Sequence, residues 1–477
     1  MLFNSLHFFI FAPLVILIFF LVPQKYQKYW LFLVSLYFYA AFKLVYIFLL
    51  LYSIVVSYLS IVLIFRYKHH QILKKTFLIM GIIGNLILLV IFKYIVQFYD
   101  ILNFLLGVSP CDKDYITPPN ILLPMGISFF GLQAISAIID SYRGVIQKPK
   151  GILYFGLYLS FFPQLVAGPI LRAKDLLDQL YQNQKFDFTN FRFGFFYVTL
   201  GFFKKTLLAD QISVYVDQVF ASPWEYHTLS LWMAVFIFSI QIYCDFSGYS
   251  DIAIGIAKIM GFSLPENFRR PFFSTTMGEF WRRWHISLSS WFRDYVYVPL
   301  GGSKVSNLRT YINLFITMFI SGIWHGAGWN YVLWGSIHGF FLLLEKFLLS
   351  FHFFKNITIP KILGRIYTFW VFSFTFFFFR AKPIYFPETD FLSSSIDVAI
   401  YMVARAFYPS TGKFLSIDLT YLSLILFLFI FELYVEKNGD EKIKNSSWVF
   451  PFGFVVFFIC LIIYSITAAQ PFVYFQF

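Results

Sequence analysis

His325 is the residue in this sequence best placed to do chemistry. It follows the apolar run Tyr311–Trp324 and opens the stretch His325-Gly326-Ala327-Gly328-Trp329-Asn330, beyond which a second apolar run continues to Leu344. At about 1.5 Å per residue the first run is about 21 Å long, which carries His325 well into a membrane. An ionisable group at that depth is a functional candidate by default, because hydrocarbon penalises it. An imidazole with a pKa of about 6.5 accepts a proton at neutral pH, so the chemistry it suggests is general-base catalysis. Gly322, Gly326 and Gly328 supply backbone that can bend, pack closely or admit a substrate. The alternative is a neutral histidine bonded to a neighbouring helix.

A second concentration of chemistry lies at Met277–Gly302, which holds His285 with Arg282, Arg283, Arg293 and Asp294. Each of these charges costs about 2.5–3.5 kcal/mol at the centre of a lipid-facing helix, on the order of 10 kcal/mol together, so this is no ordinary span. Trp281, Trp284, Trp291, Tyr295 and Tyr297 belong to a membrane interface. An amphipathic or re-entrant helix packed on a helical bundle reconciles the two facts, and a basic interfacial anchor is the alternative.

Other chemistries are poorly supported. His338 lies thirteen residues after His325, about 220° around one straight helix, so the two share no face on such a helix. A helical zinc pair is not supported and HExxH is missing. No GxSxG elbow occurs. Cys111, Cys244 and Cys460 are far apart and form no CxxC. The pair His69-His70 sits in a basic loop, where solvation is expected.

The elements that must position these residues are membrane helices. Of 477 residues, 59% are hydrophobic and 13% charged, against about 25% charged in a soluble domain. Mean hydropathy is +0.71. Apolar runs occur at Phe8–Val22, Tyr29–Phe42, Leu44–Phe65, Phe77–Phe98, Leu122–Ile139, Ile152–Val166, Phe193–Leu208, Leu229–Tyr243, Tyr311–Trp324, Tyr331–Leu344, Ile366–Phe379, Leu419–Leu433 and Val449–Ile466. Several are shorter than the roughly 20 residues of a full crossing, which predicts about ten to twelve true spans and some re-entrant or buried pieces. The chain reads as a single membrane-embedded domain over residues 1–477. No internal repeat is visible, which counts mildly against a transporter.

The net charge of +13 comes from short basic clusters between apolar runs, which sets orientation rather than nucleic-acid binding. Lys25 and Lys28, then Arg66, Lys68, Lys74 and Lys75, belong in the cytoplasm by the positive-inside rule, with Lys43 between the two runs that separate them. The N-terminus then faces outward. The mixed loop Lys437–Lys444 reads as cytoplasmic, which carries the C-terminus outward too. The first run lacks a preceding basic residue and a small-residue cleavage site, so it is not read as a removable signal.

The run Trp284-His285-Ile286-Ser287-Leu288-Ser289, then Arg293-Asp294-Tyr295 and Pro299-Leu300-Gly301-Gly302, resembles the signature of bacterial membrane-bound O-acyltransferases. Gly322-Ile323-Trp324-His325-Gly326-Ala327 through Trp334-Gly335-Ser336-Ile337-His338-Gly339 is similar to the segment bearing that family's catalytic histidine. Further matches are Pro124–Phe129, Gln164–Ile170, Asp245–Asp251 and Phe379-Arg380-Ala381. Length and the Asp245–Asp251 segment look most like the alginate O-acetylation branch.

The resemblance implies an all-α polytopic fold, a ring of tilted transmembrane helices with re-entrant and interfacial helices around a central tunnel. It implies that His325 is the catalytic histidine and His285 a second active-site histidine. Asp245, Asp251, Arg293, Asp294, Trp324 and Asn330 would be structural or tunnel residues. It further implies acetyl-CoA as cytoplasmic acyl donor, no metal or tightly bound cofactor, and location in the bacterial inner membrane. The acceptor it implies is an extracytoplasmic polysaccharide, alginate-like, in this family often reached through a periplasmic partner of esterase-like fold. D-alanyl transfer to teichoic acid and peptidoglycan O-acetylation are the alternatives within the family. A polysaccharide-precursor transporter is the alternative outside it.

Overall fold

The computed structural model describes residues 1–108, 123–351, 360–386, 391–439 and 449–466, with positions 116, 117, 119, 446 and 472. Cys111, Leu122 and residues 440–444 of the Lys437–Lys444 loop lie outside the described residues. The chain forms two compact units, Met1–Gly201 with Tyr249–Glu266 and Phe202–Gly248 with Asn267–Phe477.

The helices of the first unit are α1 (Leu6–Leu21), α2 (Gln27–Ala40), α3 (Ile47–Arg66), α4 (Gln71–Leu89), α5 (Ile95–Leu106), α6 (Ile127–Arg143), α7 (Ile152–Ser160), α8 (Ala173–Leu180) and α9 (Phe188–Phe202), whose last residue passes to the second unit. The second unit holds α10 (Asp210–Ala221) and most of α11 (Thr228–Ile259). It continues with α12 (Met277–Arg283), α13 (Ile286–Phe292), α14 (Asn307–His325), α15 (Trp329–Leu348), α16 (Lys361–Phe379), α17 (Ser395–Phe407), α18 (Leu419–Asn438) and α19 (Val449–Ile466). The helical expectation holds, apart from one antiparallel hairpin of Ile384–Phe386 with Phe391–Ser393. Among the described residues six helices are long and apolar enough to cross a membrane, at Leu44–Arg66, Gln71–Asn103, Thr228–Ile259, Trp329–Leu348, Lys361–Phe379 and Leu419–Asn438.

Small polar residues join α3 to α4. The Ser53 hydroxyl donates to Asn85 Oδ1 at 2.6 Å, and Asn85 Nδ2 donates to Ser57 Oγ at 3.0 Å. Such bonds hold helices together where lipid offers no hydrophobic drive for association. Some expected runs end early. The one starting at Ile152 is helical only to Ser160, and the one starting at Phe193 passes into a π-helical stretch, Phe203–Ala209. Lys28 lies inside the first turn of α2, 4% exposed, with its ammonium on the Gln182 carbonyl, so Lys25 is the solvated cation of that loop.

The segment Met277–Gly302 is not a span. It forms two seven-residue helices, α12 and α13, and a π-helical turn at Arg293–Tyr297. Arg283 is neutralised by Glu279 and Glu436, each at 2.9 Å, and Arg270 meets Glu436 at 2.7 Å. Pairing with Glu279 and with Glu436 of α18 offsets part of the cost of burying the Arg283 charge.

Candidate active site

His325 is the last residue of α14 and is 4% exposed. The chain turns through Gly326–Gly328, and α15 runs back along α14. Two glycines permit that approach. A Cβ on Gly322 would lie 2.4 Å from the Tyr331 carbonyl oxygen, and one on Gly335 would lie 2.5 Å from that of Met318. The imidazole is enclosed by Trp334, Trp324 and Phe379, at centroid distances of 4.7, 4.9 and 5.4 Å.

Substituting Gly322→Val should therefore force the two helices apart. Overpacking of this kind costs about 1–3 kcal/mol, and the His325 ring three residues on would move with the backbone. A lower melting midpoint in detergent together with lost activity is the expected outcome. A variant that melts and turns over like the parent would show that the close approach is dispensable.

His338 belongs to the same cluster, contrary to the expectation of unrelated faces. That expectation assumed one straight helix, whereas the break at Gly326–Gly328 puts the two histidines on two antiparallel helices. The Trp334 ring lies 4.7 Å from His325 and 4.7 Å from His338. Trp281 reaches His338 from α12 at 5.0 Å. His338 is fully buried, with Nε2 3.1 Å from Thr375 Oγ1 on α16. That hydroxyl gives its only hydrogen to the Phe372 carbonyl at 2.7 Å, so it accepts from His338 Nε2–H and leaves Nδ1 as a lone-pair acceptor.

His285 sits in a different setting. It is 1% exposed and links α12 to α13 in a left-handed conformation, φ 43° and ψ 54°. Arg270 is the other described non-glycine residue at positive φ. Backbone held there costs on the order of 1–3 kcal/mol and is often found at functional sites. Asn267 Oδ1 accepts from Ser287 Oγ at 2.8 Å and from the Ser287 N–H at 3.2 Å. His285 Nδ1 lies 3.2 Å from the same oxygen and therefore donates its hydrogen to it. Phe246 packs edge-on at 4.6 Å, and burial pushes the His285 pKa down to about 3, which keeps the ring neutral. From His285 to His325 a series of touching rings runs through Phe268, Trp284, Phe372, His338 and Trp334.

The remaining candidates divide. Trp324 walls the His325 cluster, and Asn330 Nδ2 donates to the Phe378 carbonyl at 3.1 Å, pinning the start of α15 to α16. Arg293 pairs with its neighbour Asp294 at 2.7 Å and lines a cavity of about 560 Å³. That cavity also touches Arg269, Arg282, Trp281 and Ser321, the last being one turn before His325. Asp245 is fully buried and ion-paired with Lys205 at 2.6 Å, which also meets Asp210 at 2.7 Å. Asp251 is partly exposed and lies in the first unit. Lys205 escaped the sequence reading, although an intramembrane lysine beside a second one, Lys204, was signal enough. Among the described residues no three His, Cys, Asp or Glu side chains come together as a metal site.

A family model described as the membrane-bound O-acyltransferase family matches residues 34–387. A probable alginate O-acetylase of Pseudomonas aeruginosa is 38% identical over 72% of this chain, and the match spans 66% of that relative's length, just under two thirds. A peptidoglycan O-acetyltransferase of Helicobacter pylori is 35% identical over 80% of this chain and 78% of its own. A teichoic acid D-alanyltransferase of Bacillus subtilis is 26% identical over 56% of this chain and 71% of its own.

Proposed function

Because the chain belongs to the membrane-bound O-acyltransferase family, we propose that it moves an acetyl group from a thioester onto a hydroxyl of a cell-envelope polysaccharide, with His325 as general base. The observation that carries this reading is a buried histidine at the end of α14, one helical turn from a cavity with three arginines. A cavity of about 560 Å³ is in the size range of small-molecule sites. Its apolar wall of Phe292, Leu314 and Met318 suits an acyl arm, and its arginines suit the phosphates of a donor such as acetyl-CoA.

In the reaction the hydroxyl oxygen attacks the thioester carbonyl carbon while His325 takes the hydroxyl proton. The tetrahedral adduct collapses, the C–S bond breaks, and the leaving sulfur receives that proton as a thiol. The rings around His325 exclude water, which would otherwise hydrolyse the thioester. His285, with Nδ1–H fixed on Asn267, orders the α12–α13 turn that forms one wall of the cavity.

The names of the relatives support two polysaccharide acceptors, alginate and peptidoglycan. The D-alanyltransferase relative supports a second reading, transfer of D-alanine to teichoic acid. Purified protein in liposomes, given labelled acetyl-CoA with alginate or peptidoglycan fragments, should form an alkali-labile labelled ester. Label transfer only from a D-alanyl carrier protein would favour the second reading, and transfer from no thioester at all would defeat both.

The setting is a bacterial inner membrane, with the N-terminus and the α2–α3 connection outside and the Arg66–Gln71 connection in the cytoplasm. An impermeant thiol reagent added to intact cells should label Lys43→Cys, which is exposed, and should miss Gln71→Cys. The reverse pattern would invert the topology.

A further inference from the structure

In the ring cluster that Trp334 joins to His325, the buried atoms Trp281 Nε1, Trp334 Nε1 and His338 Nδ1 have no hydrogen-bond partner among the described residues. They belong to rings in mutual contact, with Trp281 and Trp334 at 5.9 Å, Trp281 and His338 at 5.0 Å, and Trp334 and His338 at 4.7 Å. An unsatisfied buried donor or acceptor costs about 1–3 kcal/mol. Three together, in a cluster that a phenylalanine at either tryptophan would relieve, point to use by a ligand rather than to packing.

The chemistry of the three atoms is unequal. His338 gives its Nε2–H to Thr375 and presents a lone pair at Nδ1, so it cannot stabilise negative charge. An indole nitrogen is a donor only. His285 has already committed its Nδ1–H to Asn267. Of these three atoms, the two indole N–H groups are the ones that can donate to an anion. Trp334 packs 4.7 Å from His325, and Trp281 lines the cavity.

We propose that the indole N–H groups of Trp334 and Trp281 form the oxyanion hole of the acyl transfer. The assignment rests on the acyltransferase reading and deepens it. As the hydroxyl oxygen bonds to the thioester carbon, the C=O electron pair moves onto oxygen, and the two N–H groups donate to that oxygen. When the C–S bond breaks the pair returns to the carbonyl, and the thiol leaves with the proton held by His325. Fixed donors in a water-poor site stabilise such an anion without reorganising. His338 is a positioning residue here. It packs against both indoles and, held by Thr375, keeps both rings in place.

The test is Trp334→Phe, which deletes the donor and keeps an aromatic ring. Loss of an oxyanion donor lowers kcat by about 10²-fold or more. KM for the thioester should stay within about twofold, because the donor acts mainly on the transition state. The melting midpoint should not fall, since an unsatisfied buried group has been removed. A structural tryptophan would show the opposite, a lower midpoint with activity tracking the folded fraction. If Trp334→Phe folds poorly, a 3-benzothienylalanine at position 334 replaces N–H by sulfur at nearly constant shape. The same loss of kcat in that variant supports the proposal, and wild-type turnover overturns it. His325→Ala run alongside separates the failures: an inactive His325→Ala beside fully active position-334 variants overturns the oxyanion hole alone, while an active His325→Ala defeats the base assignment beneath it.

Discussion

His325→Ala is expected to reduce acyl transfer by about 10²–10⁴-fold, the range general-base catalysis supplies, while the protein is still made, inserted and folded. The ring contributes packing with Trp324, Trp334 and Phe379, so some loss of stability accompanies the change. His325→Phe controls for that loss by keeping an aromatic ring and removing the base. Both variants should be inactive, and His325→Phe should melt closer to the parent. Strong turnover by either folded variant would place the base elsewhere.

Lys205→Met is expected to have the largest effect on stability. Its ammonium is buried between Asp210 and Asp245, with side-chain exposures of 3%, 9% and 1% for Lys205, Asp210 and Asp245. Removing the cation strands two like charges in a protein interior, and breaking a buried pair costs about 3–5 kcal/mol. Apolar replacement of the whole triad, Lys205→Met with Asp210→Leu and Asp245→Leu, removes the stranded charges as well and should recover much of the lost midpoint. Activity that returns with the midpoint would make the triad a structural clamp. Stability that returns without activity would give the charges a part in transfer. A single Lys205→Met variant as stable as the parent would contradict the buried pairing itself.

The sequence made the helical class and the membrane setting readable, and His325 legible as a candidate, because each leaves a local signal: long apolar runs, few charges, and one histidine deep beside glycines. It also showed that Met277–Gly302 could not face lipid. What it hid was distant pairing. Glu436 neutralises Arg270 and Arg283 from more than 150 positions away, and nothing in the spacing announces that. His338 was set aside because a helical-wheel argument holds only within one helix, and the turn at Gly326–Gly328 cancels the angle between the two histidines. His285 was legible as a candidate, whereas its tautomer depends on Asn267 and Ser287 and needed three-dimensional geometry. Lys205 was visible yet missed, because a single lysine pair does little to the hydropathy of a run rich in Phe and Leu.

The most direct test of the central claim counts products in one reaction. Protein in liposomes is given labelled acetyl-CoA and a polysaccharide acceptor, and free thiol is measured against alkali-labile ester over the same time course. Acyl transfer through His325 gives one thiol per ester in the parent protein and neither product in His325→Ala. Ester formed at the parent rate by His325→Ala, or thiol released by the parent without any ester, would contradict it.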